Sequence, residues 1–278
     1  MKSSRKLLPA TAGLVLAALV APAFADGGGG SGTCASLPGW GRLQSALTAA
    51  VGASGNNGLG FNMWGTIVTN DGTVCAVAFS GSSYTSQWLG SRIISAQKAN
   101  TANDFSLSNG APPSGSLFPN GLALSTANLY SAVQPGGSLY GLQHSNPVDP
   151  EIAYQGNAQL YGTPNDPIVG QKIGGVNVFG GGLALYKSNG VKIGAVGVSG
   201  DTSCTDHFVA WHVRNNLGLD HLAGIGPVPG ADAAHPDNII FDITDNPNGG
   251  TGKSASGFGH PMCVNQPANP TSLPAVQK

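Results

Sequence analysis

The chain has 278 residues and a formal net charge of −1, from 12 lysines and arginines against 13 aspartates and glutamates. Its basic residues are not clustered, whereas nucleic acids and anionic membranes are bound by clustered lysine and arginine, so both are excluded as expected partners. Charged residues are only 9% of the chain, while 43 residues are glycine and 19 are proline. This composition predicts many turns and long loops rather than a bundle of helices.

Residues 1–25 have the pattern of a secretory signal peptide. A basic start precedes an apolar stretch centred on residues 14–20, and small residues stand at −3 and −1 of a cleavage site after Ala25. An uncleaved membrane anchor is the alternative. We expect a secreted or periplasmic protein that has no membrane span after cleavage and retains 9 basic against 13 acidic residues. Residues 26–36 then predict a flexible, glycine-rich leader.

The four cysteines are consistent with export, because an oxidising compartment permits two disulfides. Four cysteines allow three pairings. We favour Cys34–Cys75, which would tie the N-terminal segment to a hairpin, and Cys204–Cys263, which would tie the C-terminal tail to the core. The spacing contains no CxxC pair, which argues against a thioredoxin-like site and a four-cysteine zinc site.

The first part of the folded region predicts a helix, a hairpin and a second helix. Apolar residues recur at helical spacing over residues 37–51, and residues 86–105 form the next helix candidate. Between them, two β-rich runs at 63–68 and 74–79 flank an Asp-Gly turn at 71–72, which is a strong hairpin signal.

Residues 106–175 differ from what precedes them, because they contain eight prolines and a single short helix candidate at 123–133. A structureless loop of this length is unusual in a compact domain. Aromatic residues within it could hold it against the core. We interpret the stretch as a long insertion packed over the core, with a role as a lid or an oligomer contact.

Regular structure returns after the insertion. Three strand candidates, at 176–179, 183–187 and 191–198, precede a glycine turn and a helix at 205–217. Residues 239–243 are a further strand-like run. The order predicts an α+β fold, with a five-stranded antiparallel sheet flanked by helices, in one domain over residues 37–278.

The glycine turn before the last helix is the first candidate for a ligand site. Gly197 and Gly200 would let the backbone approach a ligand closely. Ser203 and Asp206 have the spacing of a capping box, and free N–H groups at a helix start can hold a carboxylate or a similar anion. The alternative is a tight turn and a well-capped helix without a ligand.

Two helix faces carry further candidates. His207, Trp211 and Arg214 share one face and could line a pocket for a flat, anionic ligand. Alternatively, Trp211 belongs to the core and the other two side chains lie at the rim in water. On the earlier helix, Lys98 and Thr101 are neighbours on one face, although a lone lysine is often merely solvated.

Four segments resemble the GlcG/HbpS family of haem-binding proteins. They are Val-Cys-Ala-Val-Ala-Phe at 74–79 after the Asp-Gly turn, Ser-Ala-Gln-Lys-Ala-Asn-Thr-Ala at 95–102, Ile-Gly-Gly at 173–175 and Ile-Gly-Ala-Val-Gly-Val-Ser-Gly at 193–200, the last followed by Asp206 and Ala210. The resemblance covers about residues 40–105 and 170–217. The long insertion, the cysteines and the tail depart from the short family core, which is typical of a larger, exported branch.

The resemblance implies a profilin-like sandwich, homo-oligomers and haem or another tetrapyrrole as ligand, with roles in haem sensing, uptake or degradation. By motif position, six residues match the family: Lys98, Thr101, Gly197, Ser199, Gly200 and Asp206. Thr101 and His207 are the candidate iron ligands. Together with Arg214, these residues give the predicted haem site.

Three functions therefore remain open. The first is an exported haem-binding protein with its pocket between the Lys98 helix and the glycine turn. The second is an enzyme that acts on a small organic acid in the same pocket, with Asp206 or His207 as the acid or base. The third is a non-catalytic structural protein, in which the insertion holds the subunits of a homo-oligomer together.

Overall fold

Four strands form the central antiparallel sheet of the computed structural model, which describes residues 34–250 and 252–278. They are β1 (Trp64–Thr69), β2 (Val74–Phe79), β3 (Gly182–Lys187) and β4 (Val191–Ser199), in the order β2-β1-β4-β3. The hairpin around the Asp-Gly turn is confirmed, and β1 pairs with β4 in the middle of the sheet. The predicted signal peptide and residues 26–33 of the predicted leader lie outside the described residues.

The helices lie on both faces of the sheet. On one face α1 (Trp40–Val51) and α5 (Ser203–Leu217) pack together, and on the other lies α2 (Ser91–Asp104). Side chains alternate along the strands, so that Ile67 and Val196 join the core beneath α1 and α5 while Val68 and Ala195 join the core beneath α2. The predicted α+β class, with an antiparallel sheet flanked by helices, is confirmed.

The predicted fifth strand is wrong. Residues 176–179 have no regular structure and do not join the sheet. The backbone N–H of Asn177 instead donates to Thr101 Oγ1 on α2 (2.9 Å). This segment therefore bonds to a helix rather than to a strand. The strand expected at 239–243 is also absent; only β5 (Ile243–Thr244) and β6 (Lys253–Ser254) pair there, in a separate two-stranded ribbon.

Residues 106–175 contain only short helical segments. These are α3 (Leu129–Ala132), α4 (Pro150–Ala153) and 3-10 turns at Thr126–Asn128, Leu142–His144 and Ala158–Leu160. Further 3-10 turns occur at Cys34–Ser36, Ser188–Gly190 and Pro270–Ser272. Ile168 and Ile173 pack in one cluster with Ile93 of α2 and with residues of the sheet, so this part of the insertion joins the core beneath α2. No helix of the described residues is long and apolar enough to cross a membrane.

A buried ion pair attaches this stretch to α2. Arg92 and Asp166 are both buried. Their side chains make two hydrogen bonds, from Arg92 Nε to Asp166 Oδ2 (2.9 Å) and from Arg92 Nη2 to Asp166 Oδ1. The guanidinium also donates to the carbonyl oxygen of Ala153 (3.0 Å) and lies over the ring of Tyr161. An unpaired charge left at this position would be costly, because little water can reach it.

Two disulfides complete the fold. Cys34 is bonded to Cys75 of β2, and Cys204 of α5 is bonded to Cys263 in the tail. This is the pairing favoured from the sequence. The second bond holds the tail against the first turn of α5, so residues 260–263 lie beside the start of that helix.

Replacing Arg92 by alanine is expected to lower the free energy of unfolding by about 3–5 kcal/mol, because Asp166 would be left buried without its partner. Urea unfolding measures this change. The control is Lys172→Ala, which removes an ion pair to Asp71 whose two side chains are 58% and 41% exposed. That change should cost no more than about 1 kcal/mol. Equal costs for the two variants would contradict the role of Arg92 as the attachment point.

Candidate functional site

The two predicted halves of the site meet in one ion pair. Lys98 of α2 donates through Nζ to Asp206 Oδ2 of α5 (2.6 Å), and neither side chain is exposed. Lys98 Nζ also donates to the carbonyl oxygen of Val198 (3.1 Å), and Asp206 Oδ1 accepts the N–H of Asp201 (2.9 Å). Since α2 and α5 lie on opposite faces of the sheet, this pair joins the two helical layers beside the end of β4.

Burial acts on both charges of this pair. It raises the pKa of Asp206 to about 6, against the opposing effect of the Lys98 ammonium. It lowers the pKa of Lys98, against the opposing effect of the Asp206 carboxylate. Asp206 is therefore ionised at neutral pH, and each group keeps its charge largely because the other is present.

Residues 179–181, here termed the covering segment, fill the space around the pair. The centre of the Phe179 ring lies 4.1 Å from Lys98 Nζ. Gly181 passes so close that a Cβ there would be 3.1 Å from Lys98 Nζ and 2.3 Å from the carbonyl oxygen of Val198. The hollow predicted between the Lys98 helix and the glycine turn is therefore closed by the chain itself, which corrects that prediction.

The glycines of the turn serve packing within the protein. A Cβ at Gly197 would lie 1.9 Å from the carbonyl oxygen of Ser95, so glycine allows α2 to approach β4. Gly200 packs against the backbone of residues 62–63, and Ser199 is a buried residue at the end of β4 that pairs with Trp64. The expectation that this turn approaches a ligand is thus not met in this conformation.

The N-terminus of α5 is bonded internally. The helix begins at Ser203, two residues earlier than predicted, and its N-cap is Thr202, whose side chain accepts the N–H of Thr205. The N–H of Cys204 points to Cys263 Sγ (3.2 Å). The predicted capping pair of Ser203 and Asp206 is therefore wrong, and two N–H groups expected to hold an anion have partners in the chain.

Arg214 has a protein partner in place of a ligand carboxylate. Its guanidinium makes two hydrogen bonds to Asp237, of 2.6 and 2.8 Å, and both side chains of this ion pair are fully buried. Trp211 belongs to the core and donates to the carbonyl oxygen of Pro274. The expectation that Arg214 lies at a solvated rim or in an open pocket is corrected by this pairing.

His207 and Thr101, the candidate iron ligands, are also fully buried. The Thr101 hydroxyl donates to the carbonyl oxygen of Gln97 (2.8 Å) and accepts the N–H of Asn177. His207 Nε2 lies 3.2 Å from Asn238 Oδ1 and 3.1 Å from the backbone nitrogen of Ile239, whereas Nδ1 has no hydrogen-bond partner among the described residues. Burial lowers the pKa of His207 to about 3, so its imidazole is neutral at physiological pH.

Two features of the site were missed in the sequence. The run Gly180-Gly181-Gly182, which leads into β3, was a visible signal for close backbone approach, and Phe179 precedes it. Asp237 was not identifiable, because it lies in a proline-rich loop 23 residues after Arg214 with no periodic relation to it.

The two buried histidines predict acid sensitivity. An unfolded histidine has a pKa near 6.5, whereas the folded values are about 3 for His207 and about 4 for His260. Between these values the unfolded chain binds more protons, so the free energy of unfolding falls as the pH is lowered. Asp206 acts in the opposite direction between about pH 4 and 6. Because its pKa is raised in the folded protein, its contribution to the free energy of unfolding increases as the pH is lowered.

Replacing His207 by glutamine should therefore reduce the slope of unfolding free energy against pH by about 1.4 kcal/mol per pH unit between about pH 6 and 4.5. Urea unfolding at several pH values measures this slope. The matched control is His144→Gln, since His144 is exposed. An unchanged slope for the His207 variant would show that this imidazole is not kept neutral by the fold.

The family model described as haem degrading protein HbpS-like matches residues 42–213. Among solved structures, a PduOC:heme complex is 22% identical, with a TM-score of 0.42, and the match covers 66% of this chain and 94% of that one.

The protein ORFY of Klebsiella pneumoniae, from the DUF336 family, is 26% identical, with a TM-score of 0.38, and the match covers 63% of this chain and 87% of that one. A search among curated proteins finds no significant match. The family model spans more than half of the chain, including α2, the sheet and most of α5. The chain therefore belongs to the HbpS-like family of haem degrading proteins.

Proposed function

We propose that this protein binds haem beside the Lys98–Asp206 pair, after the covering segment moves aside. The observation that carries the proposal is the direct contact between Lys98 and Asp206, which are the residues matched to the two family motifs. Membership of the HbpS-like family supports haem as the ligand.

The candidate residues do not fit haem in the conformation described above. Lys98, Thr101, His207 and Arg214 are fully buried, and the covering segment occupies the adjoining space. Of the two candidate iron ligands, His207 suits the role better, because Nδ1 lacks a hydrogen-bond partner among the described residues. Thr101 would first have to give up two hydrogen bonds.

The covering segment is held by a small number of contacts. The N–H of Gly180 donates to Ser203 Oγ (2.7 Å), and the carbonyl oxygen of Gly181 accepts the N–H of Val198 (2.7 Å). Phe179 adds its cation–π contact with Lys98 and is itself only partly buried. Each hydrogen bond contributes about 0.5–1.5 kcal/mol and the cation–π contact about 0.5–2 kcal/mol. Movement of this segment thus has a modest cost.

Export, assembly and domain layout are part of the same proposal. The two disulfides support an extracytoplasmic location, secreted or periplasmic, after removal of residues 1–25. We infer one domain over residues 37–278 with an insertion at about 106–175, and a homo-oligomer in which that insertion takes part. A role in haem sensing, uptake or degradation would follow from haem binding outside the cytoplasm.

The geometry supports binding better than acid–base chemistry on a small organic acid. Asp206 is already paired with Lys98, and His207 Nε2 is within hydrogen-bond distance of Asn238 Oδ1 (3.2 Å). Both side chains are buried beneath the covering segment. A purely structural role would be supported if the purified protein failed to take up haem.

Titration with hemin tests the proposal. We expect a saturable Soret band, and Phe179→Ala should raise the association rate constant about 3- to 30-fold, which corresponds to the loss of a cation–π contact. Phe118→Ala is the control, because this partly buried ring packs against Gly226 and not against Lys98. His207→Ala should shift the Soret maximum. Absence of a saturable band in all four proteins would refute haem binding.

A further inference from the structure

A serine and a histidine form a hydrogen-bonded pair at the start of α5, and neither is a candidate haem ligand. Ser203 Oγ lies 2.6 Å from His260 Nε2. His260 Nδ1 lies 2.6 Å from the carbonyl oxygen of Pro261, which can only accept a hydrogen bond. Nδ1 therefore carries the proton of the neutral imidazole, and the lone pair of Nε2 accepts the Ser203 hydroxyl.

We propose that Ser203 is a nucleophile for acyl transfer and that His260 is its general base. The pair has the three parts that such a nucleophile needs: a hydroxyl, a base within hydrogen-bond reach, and a third group that orients the base. Here the third group is the Pro261 carbonyl in place of a carboxylate. No part of the proposal depends on haem binding.

The surroundings suit this chemistry. The N–H of Gly180 donates to Ser203 Oγ (2.7 Å), and together with the bond to His260 this contact fixes the position of the hydroxyl. Ser203 is the first residue of a 15-residue helix and is only partly buried, so the hydroxyl lies at the positive end of the helix dipole. The Cys204–Cys263 disulfide fixes the neighbours of both residues in place.

Burial supports the protonation state that the step requires. His260 is 3% exposed, and burial lowers its pKa to about 4, so the imidazole is neutral at physiological pH. The rings of Tyr130 and Phe241 lie beside it, with centroids 5.3 and 6.5 Å from that of the imidazole. These partly buried rings favour small esters with an aromatic leaving group as the substrate class.

The reaction proceeds in two balanced steps. Ser203 Oγ bonds to the acyl carbon of an ester while its proton passes to His260 Nε2; the ester C–O bond then breaks, and the same proton goes to the departing alkoxide. A water molecule next attacks the acyl-serine while its proton passes to His260 Nε2. The bond between Ser203 Oγ and the acyl carbon then breaks, the proton returns to Oγ, and the carboxylic acid is released. The net reaction is an ester and water giving an acid and an alcohol.

A fluorophosphonate reagent tests the proposal on the full, disulfide-bonded protein. We expect a stoichiometric mass increase, which peptide mapping places on Ser203, together with hydrolysis of p-nitrophenyl acetate. Mapping uses the unaltered protein, so misfolding of a variant cannot mask the result. The absence of a label, or a label on another residue, would overturn the proposal.

Variants then assign the roles. Ser203→Ala keeps the Thr202 cap and the disulfide, and it should abolish labelling and hydrolysis; His260→Gln should lower the hydrolysis rate at least about 100-fold. The control is Ser131→Ala, since that partly buried hydroxyl donates only to the carbonyl oxygen of Gly259 (2.6 Å). Hydrolysis that persists in Ser203→Ala would overturn the proposal, whatever the hemin titration shows.

Discussion

The ion pair between Lys98 and Asp206 is the interaction on which the arrangement of this protein depends. It connects helices that lie on opposite faces of the sheet, at a place where the sheet itself does not separate them. A buried charge is tolerated only when an opposite charge and further hydrogen bonds surround it. The carbonyl oxygen of Val198 and the N–H of Asp201 supply those hydrogen bonds, and the glycines of residues 180–182 let the backbone close over the pair without side-chain clashes.

Two further buried ion pairs extend the same principle to the rest of the chain. Arg92 and Asp166 attach the insertion to α2, and Arg214 and Asp237 attach the tail to α5. The protein has few charged residues, yet several are used inside it rather than at its surface. Such pairs add less net stability than their Coulomb energy suggests, since desolvation opposes them. Their clearer effect is to determine which loop packs on which helix.

The sequence predicted the regular core well, because local periodicity encodes it. The hairpin around residues 71–72, the helices and the class of the fold follow from patterns within about 15 residues. The fifth strand failed because residues 176–179 look β-like locally but bond to Thr101 on α2. The sequence singled out Lys98 and Asp206, and the structure brings these two side chains together in one ion pair. The other contacts of the site region could not be predicted. The partners of Arg92, Arg214 and Ser203 are far away in sequence, so no local pattern reveals them.

A double-mutant cycle on Lys98→Met and Asp206→Leu, followed by urea unfolding, tests the central claim most directly. Each single change should lower the free energy of unfolding by about 3–5 kcal/mol, because it leaves one buried charge alone. The double variant should recover much of this loss, which would give a coupling energy of at least about 2 kcal/mol. Additive losses, with no coupling, would contradict the view that this pair joins the two helical layers.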